Sequence, residues 1–512
     1  IFEHCMLLYV NESAGPAFLT QGGFRTNHCC NDMVVTLHDA LRSLKGKGHV
    51  AFLDIKAAYD SVDRRILWRR CLNRGIHSDA VDILKELFDS NSSQVVVNGR
   101  KSLPFHIEAG VLQGSVLSPC LYSIFIDDLA KELSLSHKIT VGEASINCTL
   151  YADDIALIAD EHWKLQELLD ICTAHSEKNR YRFSAPKCEM ISDEHNVLMI
   201  NGAEIPRTNS FKYLGVEITR KGIDHKTFLN RRTTEAIRSA EKLAGMGMNL
   251  GGLPLSTSAI IYKVFIRPKL EASVCILPPL KLIFKKLEQA QCLILRRILR
   301  TGPTASSTIC RSLLQVPRMY HRVKWLRTRF IRRYDNVLGE GHVLKLVSAP
   351  HTSWIEKKLR VDLYPDDVEG QEAWYDEMTE VHNETKDVTS GSLQFNVSKK
   401  LINFLKPNIP AFILRPVLSW ILKRYPGRDP PRCSSCLIHK ATQEHIANCN
   451  TLLNDHFADV PFRFRPEQAV SNLSDSNILT NLFQISLSIA KAVNRSIPDL
   501  HFEILSDSRS LI

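Results

Sequence analysis

Two adjacent aspartates interrupt an apolar run in the first third of the chain. Asp153 and Asp154 lie between the apolar segments 150–152 and 155–158. Because an unpaired carboxylate is costly to bury, we predict that each apolar segment is a strand and that the acids lie at the tip of a hairpin. Carboxylates held at a rigid turn suit a hard divalent cation such as Mg²⁺.

A third aspartate extends this interpretation. Asp54 ends the apolar run 50–53. One acid at a strand end and two at a hairpin tip can hold two Mg²⁺ ions, which would activate a 3′-hydroxyl and stabilise a leaving pyrophosphate. The alternative is that Asp54 caps a following helix. The other two Asp-Asp pairs, 127–128 and 366–367, follow a helix-like run and a proline, and we predict that both are solvated ends of elements.

The elements that must position these acids follow from the apolar patterning. Strand-like and helical stretches are mixed over 1–218, which predicts an α+β fold, and the pattern is mostly helical over 220–333. The predicted strands are 49–55 and 146–159, the predicted helices are 66–88 and 163–179, and the predicted breaks are 245–254, 277–280 and 301–307. Residues 349–395 are predicted to be a loosely ordered connection, and 424–431 a linker.

Six short segments form an ordered series around these acids. They are QGGFR (21–25), FLDIKAAYD (52–60), GVLQGSVLSP (110–119), YADD (151–154), SAPKCEM (184–190) and FKYLGVEI (211–218). In order and approximate spacing they resemble the motifs of reverse transcriptases, and most of all those of non-LTR retrotransposons. The resemblance implies an α+β right-hand polymerase. The fingers and an antiparallel-sheet palm would occupy 1–218, with an incomplete N-terminus, and a helical thumb would occupy 219–300. These would be followed by a basic helical segment and acidic connection over 301–423, a linker and zinc knuckle over 424–455, and a tail over 456–512.

The resemblance also implies roles for single residues. Asp54, Asp153 and Asp154 match the catalytic acids of the family, which bind the metal ions. Tyr59 matches the aromatic residue under the incoming sugar, where a ring would clash with a 2′-hydroxyl and favour deoxynucleotides; the alternative is a core aromatic residue. Lys187 matches a basic residue that would protonate or neutralise the pyrophosphate; the alternative is a surface lysine.

A nucleotide- and template-binding set is implied in the same way. Gly114 permits a close approach of the backbone, and Gln113 can form hydrogen bonds. Pro119 would end this loop and start a helix at 120–129. The whole set is Arg25, Lys56, Tyr59, Gln113, Gly114 and Ser115.

The net charge of +10 is concentrated in one segment. Residues 261–345 contain 18 Lys and Arg but 4 Asp and Glu, a local charge of +14, whereas the remainder carries −4. A basic block on a neutral body indicates a polyanion partner, most simply nucleic acid. Helical spacing would place Arg318, Arg322, Arg329 and Arg333 on one face that follows a phosphate backbone. The alternative is a solvated face over an ordinary core.

The 14 cysteines divide into scattered residues and one cluster. We predict that the scattered residues are reduced thiols, mostly in the core. Cys433, Cys436, His445 and Cys449 have the types and spacing of a structural tetrahedral Zn²⁺ site, with His439 as a rival ligand. The cluster resembles the C-terminal zinc-binding region of retrotransposon reverse transcriptases. Such a knuckle would bind RNA or the target DNA.

The sequence therefore predicts an RNA-directed DNA polymerase that uses two Mg²⁺ ions, dNTPs, an RNA template and a DNA primer or target. The alternatives are a catalytically silent nucleic-acid-binding remnant and an intron maturase or telomerase-like enzyme. The composition excludes a disordered tail, a collagen and a coiled-coil rod. No apolar run reaches the roughly 18 residues of a membrane span. We identify no targeting signal and no endonuclease or ribonuclease H acid set, and we expect an intracellular fragment located in the nucleus and cytoplasm.

Overall fold

The computed structural model describes residues 1–193, 197–249, 252–303, 305–349 and 352–365. These residues form two compact units. The first unit contains Ile1–Phe228, Cys275–Pro279 and Arg327–Asp362, and the second contains Leu229–Val274, Leu280–Leu326 and the described residues from Leu363 onward. The mixed helices and antiparallel sheets of the first unit confirm the predicted α+β class.

The helices of the described residues follow the chain in this order. They are α1 Phe2–Ser13, α2 Cys30–Ser43, α3 Arg64–Asn73, α4 Ser78–Asp89, α5 Ser118–Leu133, α6 His162–Lys178, α7 His225–Gly245, α8 Leu255–Ile261, α9 Arg267–Glu271, α10 Lys281–Ile298, α11 Ser307–Leu314, α12 Met319–Asn336 and α13 Val343–Ser348. Short 3₁₀ turns occur at Ala185–Lys187 and Val274–Ile276, and π turns at Tyr262–Ile266 and Ile355–Leu359.

The strands are short and pair in the antiparallel direction. They are β1 His49–Leu53, β2 Ser92–Ser93, β3 Val96–Val97, β4 Arg100–Lys101, β5 Phe105–His106, β6 Ile139–Val141, β7 Ala144–Ile146, β8 Cys148–Tyr151, β9 Asp154–Ala159, β10 Glu189–Ile191, β11 Met199–Ile200, β12 Ala203–Glu204, β13 Ser210–Tyr213, β14 Val216–Thr219 and β15 Gly222–Ile223. The main sheet has the order β10-β1-β9-β8, and the remaining strands form sheets of two or three.

Strand β1 is the central element of the main sheet. All five of its residues are buried, and Val50 pairs with Ile158 of β9 on one side and with Ile191 of β10 on the other. Apolar residues of α5 and α6 pack with this sheet in one continuous core, including Leu121, Phe125, Leu129, Leu165, Leu168 and Leu169. The sheet β13-β14-β15 contacts it through Phe211, whose ring stacks on Phe52 at 4.3 Å.

The second unit is held by a buried polar centre on α10. Glu288 accepts hydrogen bonds from the Arg311 side chain and from the Met319 backbone N–H, the latter at 2.8 Å. Gln291, which is fully buried, accepts from Tyr262 Oη at 2.7 Å and donates to Pro317 O at 2.8 Å. These bonds satisfy polar groups that would otherwise be costly inside an apolar bundle.

The predicted strands 49–55 and 146–159 are confirmed, with the second forming the hairpin β8–β9. The predicted helices 120–129 and 163–179 are confirmed as α5 and α6. The single helix predicted over 66–88 is wrong. It is two helices, because Gly75 adopts a φ of 89° that ends α3.

The cysteine prediction is confirmed for the part of the chain that the structure describes. None of its cysteines forms a disulfide, and Cys148, Cys275 and Cys292 are buried, whereas Cys120 is half-buried.

The prediction that acid pair 127–128 is a solvated end is wrong for Asp127. Asp127 lies on α5 and its side chain is buried. Its Oδ1 accepts from the Phe18 backbone N–H at 2.8 Å, and its Oδ2 accepts from Arg74 Nη1 at 3.0 Å. Burial raises the pKa of Asp127, and these donors oppose the rise. Asp128, with 48% of its side chain exposed, lies 3.4 Å from Arg70. The pair 366–367 lies outside the described residues.

We expect Asp127→Ala to lower the free energy of unfolding by about 3 kcal/mol, because it leaves the partly buried Phe18 N–H without its acceptor. It also removes the carboxylate partner of Arg74, which within the described residues then keeps only its bond to Pro16 O.

The matched control is Asp128→Ala, which should cost less than about 1 kcal/mol because the Asp128 side chain is half exposed and buried Arg70 keeps its bond to Asn179 Oδ1 at 2.7 Å. Urea denaturation of the two variants measures both. Equal losses would contradict this account of the helix.

Candidate active site

Asp153 lies in the tightest possible connection between two strands. Tyr151 at the end of β8 pairs with Asp154 at the start of β9, which leaves Ala152 and Asp153 as a two-residue hairpin loop. Ala152 has a φ of 58°, and tight hairpin turns need a positive φ at their first central position. This acidic turn, residues 151–154, confirms the predicted hairpin and holds both carboxylates at one end of the main sheet.

The sheet register brings Asp54 to the same end. Leu53 pairs with Ile155, so the next residue along β1 lies beside the acidic turn. The Asp54 backbone is fixed on its other side, because Ser184 N donates to Asp54 O at 2.8 Å. Asp54 Oδ2 is buried and accepts no hydrogen bond, while Lys187 Nζ lies 3.4 Å from it in the geometry of an ion pair.

The three carboxylates repel one another. Partial burial, followed by the charges of Asp153 and Asp54, raises the pKa of Asp154 to about 6, and the charge of Lys212 opposes this rise. The pKa of Asp153 is also raised, by burial and by Asp54. Nearby positive charge would remove this penalty.

The donor set fits a hard cation by its chemistry. It consists of three carboxylates at one sheet end, and one of their oxygens is buried without a hydrogen bond. Within the described ranges, no three His, Cys, Asp or Glu side chains converge closely enough to form a ready metal site. The fit therefore rests on the type and placement of the oxygens, and a bound cation would have to draw the carboxylates together.

Two tyrosines flank the acids. Tyr59 is half-buried, and burial followed by the charge of Asp153 raises its pKa. Its ring lies 5.1 Å from the ring of Tyr122 on α5. Tyr122 is buried with an unpartnered hydroxyl, and burial, Asp153, Tyr59 and Asp54 raise its pKa. Sequence reasoning missed Tyr122, although its place one turn into the helix after the predicted loop was a usable signal.

The loop 113–115 is held by contacts that only the structure reveals. Gly114 has a φ of 97°, and no atom lies within 4 Å of the position that a Cβ would take there. Gln113 Nε2 donates to Asp60 Oδ1 at 3.4 Å. Ser115 Oγ and Val116 N donate to Glu3 Oε2 at 2.9 and 3.1 Å. Glu3 is a further residue that sequence reasoning missed, because it lies on α1, far away along the chain.

A comparison with known families identifies this part of the chain. Residues 12–218 match the family model described as "Reverse transcriptase (RNA-dependent DNA polymerase)". These residues are a reverse transcriptase domain. The match contains the whole acidic turn, Asp54 and the loop 113–115.

Relatives of known type agree with the resemblance to non-LTR retrotransposons. The RNA-directed DNA polymerase from mobile element jockey of Drosophila funebris is 26% identical over 334 residues, which are 62% of this chain and 36% of that protein. The retrovirus-related Pol polyprotein from type-1 retrotransposable element R2 of Popillia japonica is 28% identical over 222 residues, 40% of this chain and 36% of that protein. The matched part therefore spans about a third of the length of these relatives.

One solved structure has a weaker likeness. Telomerase from Candida Tropicalis, solved with a fragment of telomeric RNA, is 13% identical with a TM-score of 0.37, covering 78% of this chain and 56% of that one.

Arg25 and Lys56 of the reverse transcriptase domain differ in their surroundings. Arg25 Nη1 donates to Gln21 O at 2.8 Å and to Phe18 O at 3.1 Å, and the residue lines a cavity of about 430 Å³. Lys56 is exposed. Arg25 thus contacts the chain's own backbone, and for both residues a role in binding template or nucleotide stays a prediction.

The predicted phosphate-binding face of α12 needs correction. Arg322, in the second unit, donates to both oxygens of Glu271 at 2.7 and 3.0 Å. Arg333, in the first unit, forms a bidentate ion pair with Asp32, which is fully buried. In this pair Arg333 Nη1 donates to Asp32 Oδ2 at 3.1 Å. Since carboxylates already hold these two guanidinium groups, the four arginines are not one open face. Phosphate binding stays a prediction for Arg318 and Arg329.

Two other predictions are limited by the described ranges. Cys433, Cys436, His439, His445 and Cys449 lie outside them, so zinc binding stays a prediction. None of the helices that the structure describes is both long and apolar enough to cross a membrane.

The raised pKa of Asp154 gives a test by pH. A carboxyl whose pKa is raised by folding destabilises the protein as pH rises from its unfolded value near 3.8 to about 6. Asp154→Asn should therefore raise the free energy of unfolding of the metal-free protein at pH 8 by about 1 kcal/mol. This magnitude is reduced for solvent screening, because Asp154 is exposed. Below pH 4 the substitution should have almost no effect on stability. Urea denaturation at the two pH values measures it.

The matched control is Asp160→Asn at the far end of β9, where Asp160 pairs with Lys164 at 2.9 Å. That change should not stabilise the protein at pH 8. Equal effects of the two variants would show that the carboxylates of the acidic turn do not repel one another.

Proposed function

We propose that the chain is an RNA-directed DNA polymerase of a non-LTR retrotransposon, extending a DNA 3′ end on an RNA template with dNTPs. The observation that carries the proposal is the meeting of Asp54, Asp153 and Asp154 at one end of the main sheet, with a buried Asp54 oxygen that accepts no hydrogen bond. The arrangement has an electrostatic cost, because the charge of Asp54 raises the pKa of Asp153 and both charges raise the pKa of Asp154.

The three aspartates would hold two Mg²⁺ ions. When bound, the ions supply activation of the primer 3′-hydroxyl and stabilisation of the leaving pyrophosphate. The protein's own contribution is to fix the acids on a sheet end rather than on a mobile loop, which limits the reorganisation needed at reaction.

The surrounding side chains would orient the nucleotide. Tyr59 lies beside the acids with part of its ring accessible, and there it would exclude a 2′-hydroxyl. Lys187 is 71% exposed and would leave Asp54 to neutralise or protonate the pyrophosphate. The loop 113–115, open around Gly114, would contact the nucleotide and template.

The remaining partners follow from charge and ligand chemistry. The basic block over 261–345 would contact the template–primer duplex through residues outside the internal ion pairs. The cluster Cys433, Cys436, His445 and Cys449 would bind one structural Zn²⁺ and contact RNA or the target DNA.

Primer extension tests the proposal. The full chain is assayed on poly(rA)/oligo(dT) with dTTP and Mg²⁺, next to Asp153→Ala and the control Asp160→Ala. Wild type and the control should extend the primer, whereas Asp153→Ala should lose about a hundredfold or more of the rate, because several kcal/mol of charge stabilisation are removed.

The competing proposal of a silent nucleic-acid-binding remnant gives another outcome. It requires RNA binding that weakens steeply with salt, without incorporation by any of the three proteins. Equal incorporation by wild type and Asp153→Ala would rule out the site proposed here.

A further inference from the structure

We infer that Gln21 is a positioning residue that fixes the acidic turn, and that Gly23 gives it the room to do so. The inference rests on the proposed function, because the turn matters only if its carboxylates take part in catalysis. Neither residue touches substrate in the role proposed. Their effect would pass through the backbone of Ala152 to the neighbouring Asp153.

The segment 20–23 closes the open edge of the main sheet. Strand β8 is the last in the order β10-β1-β9-β8, so one of its edges has no partner within the sheet. Leu150 N donates to Thr20 O at 2.9 Å, and Gly22 N donates to Leu150 O at 2.8 Å. Gln21 thus forms a parallel bridge with Leu150, directly before the acidic turn.

The Gln21 side chain continues this contact into the turn. It is fully buried, and its Oε1 accepts from Gly23 N at 2.8 Å and from Ala152 N at 3.4 Å. Ala152 is itself buried, so without this oxygen its N–H would lose the acceptor while shielded from water. A side chain without an acceptor in this place would leave the turn free to relax.

Gly23 is required by close contact with the same peptide. A Cβ at this position would lie 2.4 Å from Ala152 N and 3.1 Å from Tyr151 C, both backbone atoms that cannot move aside without moving the turn. The neighbouring Gly22 differs, because a Cβ there would meet the flexible side chain of Met33. The backbone of 21–23 and the turn are therefore packed face to face.

The turn needs such support because its own conformation is unfavourable. Ala152 holds a φ of 58° although it has a Cβ, and residues in that region persist when surrounding contacts determine them. The repulsion among the three carboxylates also favours movement of Asp153 away from Asp54. The bond from Gln21 and the close packing of Gly23 oppose both tendencies.

If Gln21 served only to stabilise the fold, its loss would not affect the acidic turn more than the loss of another buried amide. The same hairpin offers such an amide as a matched control. Asn147 is another buried amide, donating to Leu133 O at 2.6 Å and His137 O at 2.8 Å. The backbone carbonyl of Asn147 accepts from Ile158 N, at the end of β8–β9 that is remote from the acids. Loss of either amide should destabilise the fold, but only loss of Gln21 should disturb the acidic turn.

The experiment compares Gln21→Met, Gly23→Ala and Asn147→Leu in the full chain, at a temperature where circular dichroism shows that all are folded. Primer extension gives kcat, the KM for dTTP and the Mg²⁺ concentration at half-maximal rate. Gln21→Met and Gly23→Ala should each lower kcat about tenfold or more and raise the Mg²⁺ requirement several-fold, with the KM for dTTP within about twofold of wild type. Asn147→Leu should leave all three near wild type.

Amide hydrogen exchange gives a readout that does not depend on activity. Gln21→Met should speed exchange at Ala152 and Asp153 but not at Ile158, whereas Asn147→Leu should leave exchange at Ala152 and Asp153 at the wild-type rate. If wild type extends primers and Gln21→Met keeps the wild-type kcat, Mg²⁺ requirement and exchange at the turn, the inference is overturned. If wild type does not extend primers, the proposed function fails, and hydrogen exchange alone decides whether Gln21 fixes the turn.

Discussion

Mutual repulsion of three carboxylates is the constraint around which the reverse transcriptase domain is arranged. Asp54, Asp153 and Asp154 are brought to one end of a sheet by hydrogen-bonded register, and there Asp54 raises the pKa of Asp153, while Asp153 and Asp54 together raise the pKa of Asp154. A protein under selection for stability alone has no reason to keep this arrangement. In the proposed function a bound cation would neutralise this charge and thereby stabilise the folded domain.

The rest of the first unit limits how far the acids can move apart. β1 is paired on both sides, so Asp54 follows a strand that cannot shift without breaking two ladders. Phe211 stacks on Phe52 of that strand, and Tyr213 Oη contacts Thr149 of β8 at 3.0 Å, so the small sheet β13-β14-β15 holds both sides of the site. The acidic turn is not held by strand pairing in this way. The positive φ of Ala152 depends instead on contacts with the segment 20–23.

The sequence predicted structure formed by residues close together in the chain, and it missed contacts between residues that are far apart in the chain. The hairpin tip was readable because two acids inside an apolar run permit few other arrangements, whereas the register that places Asp54 beside this tip became known only from the structure. Asp127 looked like a solvated end, because its partners Arg74 and Phe18 are 53 and 109 residues away. The contact of Gln21 with Ala152 spans 131 residues. Helical spacing likewise predicted the open arginine face on α12, but cannot reveal that Glu271 and Asp32 hold two of its members.

Binding of Mn²⁺, measured by electron paramagnetic resonance, tests the claim that the end of the main sheet is a divalent cation site, and this measurement does not require activity. The comparison is between the wild-type chain and an Asp54→Asn/Asp153→Asn variant, at pH 5 and pH 8. Wild type should bind more Mn²⁺ than the variant at pH 8, and the difference should shrink at pH 5, below the pKa of about 6 of Asp154. Equal Mn²⁺ binding by the two proteins at pH 8 would contradict the claim.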